Sequence, residues 1–386
     1  MTTKKNMVIA LSKAHVLFFL LLASSLMQCH SRCNFLDENL STTNIKGMFV
    51  FGSSVVDNGN NNFLQTLSRA NYLPYGLDFP VAPASGRFTN GKNIIDLLAK
   101  LLGLPIIPPF LDPLTKGPRI ARGVNFASGG SGIRDETGSV TGDVMSLKEQ
   151  IMAFEGTTLG ELESELGCGS KESLSHFLFV VGTGGNDYSF NYFLQSPPDS
   201  DADTDEKLQA FTSNLTASLS QHLQKLYGLG ARKFVLISVN PIGCYPYVKA
   251  SRPMVRGCVQ SMNRAARLFN SNLVSLANDL PARLPHSHFV VVNSYKIMRE
   301  ILKNPTPKGF TNTEEPCCEV PSMAQGGNGI LCRRGGSTCS NRSSYAFFDG
   351  IHPSEAVNDW ISYKAFSSYL WSEVYPFNVR HLAWLV

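Results

Sequence analysis

The 386-residue chain has little charge and no strong excess of either sign. Only 17% of its residues are charged, and 34 lysines and arginines against 30 aspartates and glutamates leave a formal +4. Three of those lysines, Lys4, Lys5 and Lys13, sit in a leader-like start, so the rest of the chain carries only +1. A nucleic-acid partner is therefore not expected, because its binders show a basic stripe. Long apolar runs are scarce too. Beyond the N-terminus no stretch reaches the roughly 20 apolar residues that a membrane span needs. No C-x-x-C pair occurs, which removes the commonest zinc clip, and no metal site is expected. Gly-x-Ser-x-Gly, the nucleophile elbow of α/β-hydrolases, is also missing. What is present, 43% apolar and 10% aromatic residues, is enough for a large buried core and argues against disorder.

Ala14–Met27 (AHVLFFLLLASSLM) is the one long apolar run, and it follows lysines and ends in small residues. A signal peptide over residues 1–31 is expected, with Ala23 and Ser25 suited to a peptidase site and cleavage falling between 25 and 33. Secretion to the extracellular space follows. Cysteine usage agrees. Of nine cysteines, Cys317, Cys318, Cys332 and Cys339 lie in a Gly-rich stretch, while Cys244 and Cys258 flank a Pro-rich loop. In an exported chain this reads as disulfides, with pairing left open. Asn39, Asn214 and Asn341 head Asn-x-Ser/Thr sequons and are candidate glycan acceptors on surface loops.

From Met48 onward, short apolar runs alternate with longer amphipathic ones. MFVFGS (48–53), FLFVVG (177–182), KFVLISV (233–239) and HFVVVN (288–293) have strand length and β-branched or aromatic content. Lys92–Leu102, Leu147–Leu166, Glu206–Tyr227, Val259–Asp279 and Ser354–Trp371 have helix length. In the fourth, Met262, Ala265, Ala266, Phe269, Leu273 and Leu276 form an apolar stripe. This alternation predicts an α/β fold with a parallel sheet covered on both faces. No repeat or linker is visible, so one domain over 46–386 is expected. It carries an acidic loop, Ser196–Asp205, and a Cys/Gly-rich excursion, Glu314–Asn341. The site then belongs beyond the carboxyl ends of the strands.

Four segments in such positions carry usable chemistry. Gly52-Ser53-Ser54 follows the first strand and leads into Asp57-Asn58-Gly59-Asn60-Asn61, a turn that can present a hydroxyl beside backbone N–H groups. Gly129-Gly130-Ser131-Gly132 lets backbone approach an anion. Asn186 follows the second strand and can offer an amide donor, with Asp187 able to hold the loop. In Asp349-Gly350-Ile351-His352-Pro353 a carboxylate three residues before a histidine can accept from Nδ1–H, leaving Nε2 to take a proton. Each segment alone also reads as an ordinary turn. Gly86-Arg87-Phe88-Thr89-Asn90-Gly91-Lys92-Asn93 nearly spells a P-loop, but Asn93 replaces the magnesium-binding Ser/Thr and no buried strand precedes it.

In this order, and with SGRFTNGKNIIDLLA, GVNFASGGSGIRDETG, VNPIGCYP and FFDGIHPSEAVN, the segments resemble the plant GDSL-type esterase/lipase family of the SGNH hydrolase superfamily. The resemblance runs from about Lys46 to the C-terminus. It implies a flavodoxin-like three-layer α/β/α sandwich with a parallel central sheet. It also implies a serine carboxylic-ester hydrolase with nucleophile Ser54, acid Asp349 and base His352. The oxyanion-hole groups fall on Gly132, with Gly130 an alternative, and on Asn186. No cofactor is implied, and the substrate is a small-molecule or lipid ester, or an acetylated cell-wall polysaccharide. A monomer is the default. One departure stands at the name-giving motif, where Gly-Asp-Ser-Leu becomes Gly52-Ser53-Ser54-Val55. Ser53 is a rival nucleophile, but register with Asp57-Asn58-Gly59-Asn60 favours Ser54. The lost aspartate motivates two alternatives, a catalytically silent ester- or glycan-binding protein and an acyltransferase to an alcohol acceptor.

Overall fold

The computed structural model describes residues 44–166, 173–195 and 204–385. The expected signal peptide, Asn39, Cys29, Cys33, Cys168 and most of the acidic loop lie outside the described residues.

In chain order the main elements are β1 (Gly47–Gly52), α1 (Ile94–Leu101), α2 (Leu147–Ala153), α3 (Leu159–Leu166), β2 (Phe177–Gly182), α4 (Asp205–Leu229), β3 (Lys233–Ile237), α5 (Gln260–Arg283), β4 (His288–Val292), α6 (Ser294–Lys303), β5 (Asn312–Pro316), β6 (Tyr345–Phe347), α7 (Glu355–Ser367) and β7 (Val374–Tyr375). The central sheet runs β1-β2-β3-β4-β7, and its first four strands are parallel. The fifth, β7, is antiparallel and only two residues long, an edge the apolar-run pattern does not reveal.

Each parallel strand is apolar on both faces because each face is covered. Side chains alternate across the sheet, and the sequence sorts them by shape. Phe49, Phe51, Phe177, Phe179, Phe234 and Phe289 face α2–α5, whose buried stripes include Leu147, Leu219, Leu223 and Phe269. Phe234 and Phe289 stack with centroids 4.5 Å apart. On the opposite face Met48, Val50, Val180, Val235, Val290 and Val292 meet α1, α6 and α7 through Ile95, Met298 and Ile361. The result is a three-layer α/β/α sandwich.

Three expected helices change at their ends or middle. The 147–166 segment is split by a wide turn at Phe154–Thr158, where Gly156 and two threonines weaken helix propensity. The last expected helix stops at Ser367, and α5 continues through Pro281 to Arg283. The Cys/Gly-rich excursion carries β5, which pairs with β6, and two disulfides, Cys317–Cys339 and Cys318–Cys332; a third joins Cys244 to Cys258. Asn341 is exposed in a loop, whereas Asn214 is exposed on α4 and not on the loop expected for it. Among the described residues no helix is long and apolar enough to cross a membrane, and no cluster of three His, Cys, Asp or Glu could hold a metal.

Candidate active site

β1 ends at Gly52 with φ of +140°, and a Cβ there would lie 2.1 Å from the Gly182 carbonyl oxygen of β2. Only glycine lets the two parallel strand ends approach this closely before the chain turns. Gln150 of α2 clamps that peptide from the side. Its Oε1 accepts from Gly52 N–H at 2.7 Å and its Nε2 donates to Gly52 C=O at 2.9 Å. Nothing in the local sequence around Gln150 signals this role.

The turn beyond Gly52 presents Ser54 to His352. The Ser54 Oγ lies 2.8 Å from His352 Nε2, and His352 Nδ1 lies 2.7 Å from Asp349 Oδ2. Ser53 makes no such contact; its N–H donates to Gly182 C=O at 3.0 Å. Asp349 and His352 share one tight turn. The other carboxylate oxygen, Oδ1, accepts from the backbone N–H groups of Ile351 and His352 at 2.9 and 2.7 Å. Asp349 is fully buried and His352 is 3% exposed, so their pairing is shielded from solvent. The Phe88 ring packs on the imidazole, centroids 5.0 Å apart. Thr89 Oγ1 donates to Pro353 C=O, and Glu355 N–H donates to Asn90 Oδ1. The P-loop-like segment thus props the histidine turn, while its Asn93 caps α1 in a reciprocal capping box with Asp96.

The Asp57–Asn61 turn is a brace. Asp57 Oδ1 accepts from Gly59 and Asn60 N–H, and Oδ2 from Gly129 N–H, at 2.7 to 3.0 Å. Asn60 and Asn61 donate to the carbonyls of Asn125, Ala127 and Gly129. These bonds stitch the Ser54 turn to the glycine loop. Burial pushes the Asp57 carboxyl up to about 6 despite its three backbone donors.

Asp187 holds the far side of that loop. It accepts from the N–H groups of Ile133 and Arg134 and from Thr137 Oγ1 at 2.8 to 3.0 Å, and burial pushes its carboxyl up to about 6 as well. Gly132 packs against it so closely that a Cβ would stand 2.5 Å from both carboxylate oxygens. Asn186 donates one amide hydrogen to Ser131 C=O at 2.9 Å, leaving the second available. The backbone N–H groups of Ser54 and Gly132 have no acceptor among the described residues. The Gly130 N–H likewise has no acceptor among the described residues, but this glycine adjoins Ser68 and Val144.

Ser54, His352 and Asn186 line a cavity of about 650 Å³; Gly132 does not line it. The cavity is walled largely by apolar groups, among them Phe190, Ile237, Val239, Ile242, Val248 and Met262. Such a space suits an apolar chain delivered to one polar corner. A buried serine–histidine–aspartate chain at that corner is an arrangement that can support nucleophilic attack.

Comparison with known proteins carries the assignment further. Residues 48–364 match the family model of the GDSL-like lipase/acylhydrolases. Two GDSL esterase/lipases of Arabidopsis thaliana are similar along their length. One is 39% identical, with 90% of this chain and 90% of the relative covered; the other is 40% identical, with 88% and 90% covered. A solved phospholipase A1 from Streptomyces albidoflavus is 14% identical at a TM-score of 0.40, covering 81% of this chain and 94% of that one. The chain belongs to the GDSL-like lipase/acylhydrolase family, and so to the carboxylic-ester hydrolases.

Proposed function

We propose that the protein is a secreted serine esterase that cleaves acyl esters through a Ser54–His352–Asp349 triad and a covalent acyl-enzyme. The observation that carries this is the unbroken hydrogen-bond chain from Asp349 through His352 to Ser54, ending at the cavity wall. His352 Nε2 takes the Ser54 proton as Oγ attacks the ester carbonyl. Asp349 fixes the tautomer and stabilises the imidazolium. The tetrahedral oxyanion receives N–H groups from Ser54, Gly132 and the free amide hydrogen of Asn186. The imidazolium protonates the departing alcohol, and the same histidine then activates water to release the acid. Ser53 in place of the family aspartate removes a charge beside the nucleophile but no member of this chain.

The three disulfides among the described residues fit an oxidising, extracellular location. The mostly apolar cavity favours a lipid or other acyl ester over a polysaccharide backbone. Hydrolysis of a chain-length series of p-nitrophenyl esters by wild type and Ser54→Ala tests the assignment. Wild-type turnover that falls to background in the variant is expected. A variant that keeps wild-type turnover would remove Ser54 from the mechanism, and a folded wild type silent on every ester would favour the binding-protein alternative.

A further inference from the structure

Resting on the hydrolase function proposed above, we infer that Tyr75 is a positioning residue for the Asp349–His352 pair, held in register by the disulfide-bonded excursion. Tyr75 lies 274 residues from Asp349 in sequence and belongs to none of the site motifs. Its hydroxyl donates to Asp349 Oδ2 at 2.6 Å, the same oxygen that faces His352 Nδ1 at 2.7 Å. The Tyr75 oxygen in turn accepts from Cys332 N–H at 3.1 Å, and Tyr72 Oη donates to Cys332 C=O at 2.9 Å. The two tyrosines therefore grip the Cys332 residue at both its backbone polar groups. Cys332 is fixed by its bond to Cys318.

Four donors converge on a carboxylate with no solvent exposure: two backbone N–H groups on Oδ1, and the phenol and imidazole on Oδ2. A buried carboxylate needs such donors to remain charged. The phenol does more than satisfy a lone pair. It sets where Oδ2 sits and shares that oxygen's negative charge with the imidazole. Its ring is wedged against Tyr72, Phe88 and Phe348, with centroids 5.3, 6.1 and 5.7 Å away. Phe88 also covers His352, so one packed cluster holds both members of the pair.

The groups facing His352 are Asp349 on its own turn, the Ser54 hydroxyl from the turn after β1, and Tyr75 through Asp349. Tyr72 and Tyr245 act on Asp349 from farther away, and Arg252 stands on the cavity wall. Burial, with the Asp349 charge adding to it, holds the Tyr75 phenol well above its usual range, so it remains a donor throughout the working pH range.

Tyr75→Phe removes the hydroxyl and keeps the ring. More of the carboxylate's charge then falls on the imidazole, so His352 takes its proton at higher pH. At neutral pH kcat is expected to fall about 10- to 100-fold, the worth of a hydrogen bond to a charged group, with KM changed less than about two-fold. Activity should recover as pH rises, because the base is regained. Titration of His352 by nitrogen-15 NMR reads the same shift without needing turnover. 3-Fluorotyrosine placed at position 75 alone strengthens the donor without disturbing packing, and is expected to move the titration downward. An unmoved His352 titration in both variants overturns the role of Tyr75, even where Ser54-dependent turnover is intact. Loss of the ester-hydrolase function itself would instead appear as a wild type that does not depend on Ser54, with the NMR titration still deciding Tyr75.

Discussion

Arg87 and Asp96 form an ion pair whose side chains are 5% and 1% exposed, and its removal yields a sharp stability prediction. The contact is two-pronged, Nε to Oδ2 at 2.6 Å and Nη2 to Oδ1 at 2.7 Å. A third nitrogen, Nη1, donates to Asn58 C=O at 3.2 Å, inside the turn that follows Ser54. Arg87→Met fills most of the volume but leaves Asp96 buried with only Asn93 N–H on its Oδ2. Breaking a buried pair from one side costs about 3–5 kcal/mol, because a charge remains without its partner. Asp96→Asn should cost a similar amount by stranding the guanidinium. The double variant leaves no unpaired charge and should be far less destabilised than the two singles summed, by at least about 2 kcal/mol. Urea unfolding of all four proteins measures this directly. Additive losses, or a single-variant loss below about 1 kcal/mol, would refute the buried-charge account.

Gly132→Ala places a methyl group 2.5 Å from both Asp187 oxygens and from Thr137 Cγ2, so the glycine loop must shift. Loss of one oxyanion donor predicts a fall in kcat of about 10²–10³ with KM little changed, and ester kinetics with unchanged kcat would remove Gly132 from the oxyanion hole. Asp57 and Asp187 have carboxyls pushed by burial from 3.8 to about 6. The folded state therefore binds their protons more tightly than the unfolded one. Their stability contribution is full below about 3.8 and is lost as pH rises through about 6. Carbon-13 titration of the aspartate carboxyls should place both midpoints near 6, and midpoints at or below the ordinary value would reverse that sign.

The parallel strands were legible because burial on both faces turns each into a short continuous apolar run. β2 matches its expected limits, Phe177–Gly182, and β1, β3 and β4 differ only at their ends. α6 is hard to read from the sequence although Ile297, Met298 and Ile301 form a stripe, because it follows β4 after a single residue and is only ten residues long. β7 owes its pairing to Val291 and Val292 of the neighbouring strand, and two residues are too few to carry a period of their own.

The site divides along the same physical line, the distance in sequence between a group and what it touches. Asp349 and His352 lie three residues apart, so the turn that joins them is written in one motif and their pairing can be inferred locally. Asp187, read as a loop-holding residue, has donors some 50 residues away, yet its turn position already suggested a local bond-acceptor. Gln150 touches Gly52 across 98 residues and Tyr75 touches Asp349 across 274. Neither side chain is unusual where it stands. Glutamine on an amphipathic helix reads as a solvated face, and tyrosine beside proline reads as a loop aromatic. Only the fold makes one a clamp on a strand end and the other a donor to a buried carboxylate. The choice between Gly130 and Gly132 was open for the same reason, since both allow the same backbone freedom. Both N–H groups lack an acceptor among the described residues, so what separates the two is their neighbours: Gly132 adjoins the Ser131 carbonyl that anchors Asn186 and packs on Asp187, whereas Gly130 packs on Ser68 and Val144.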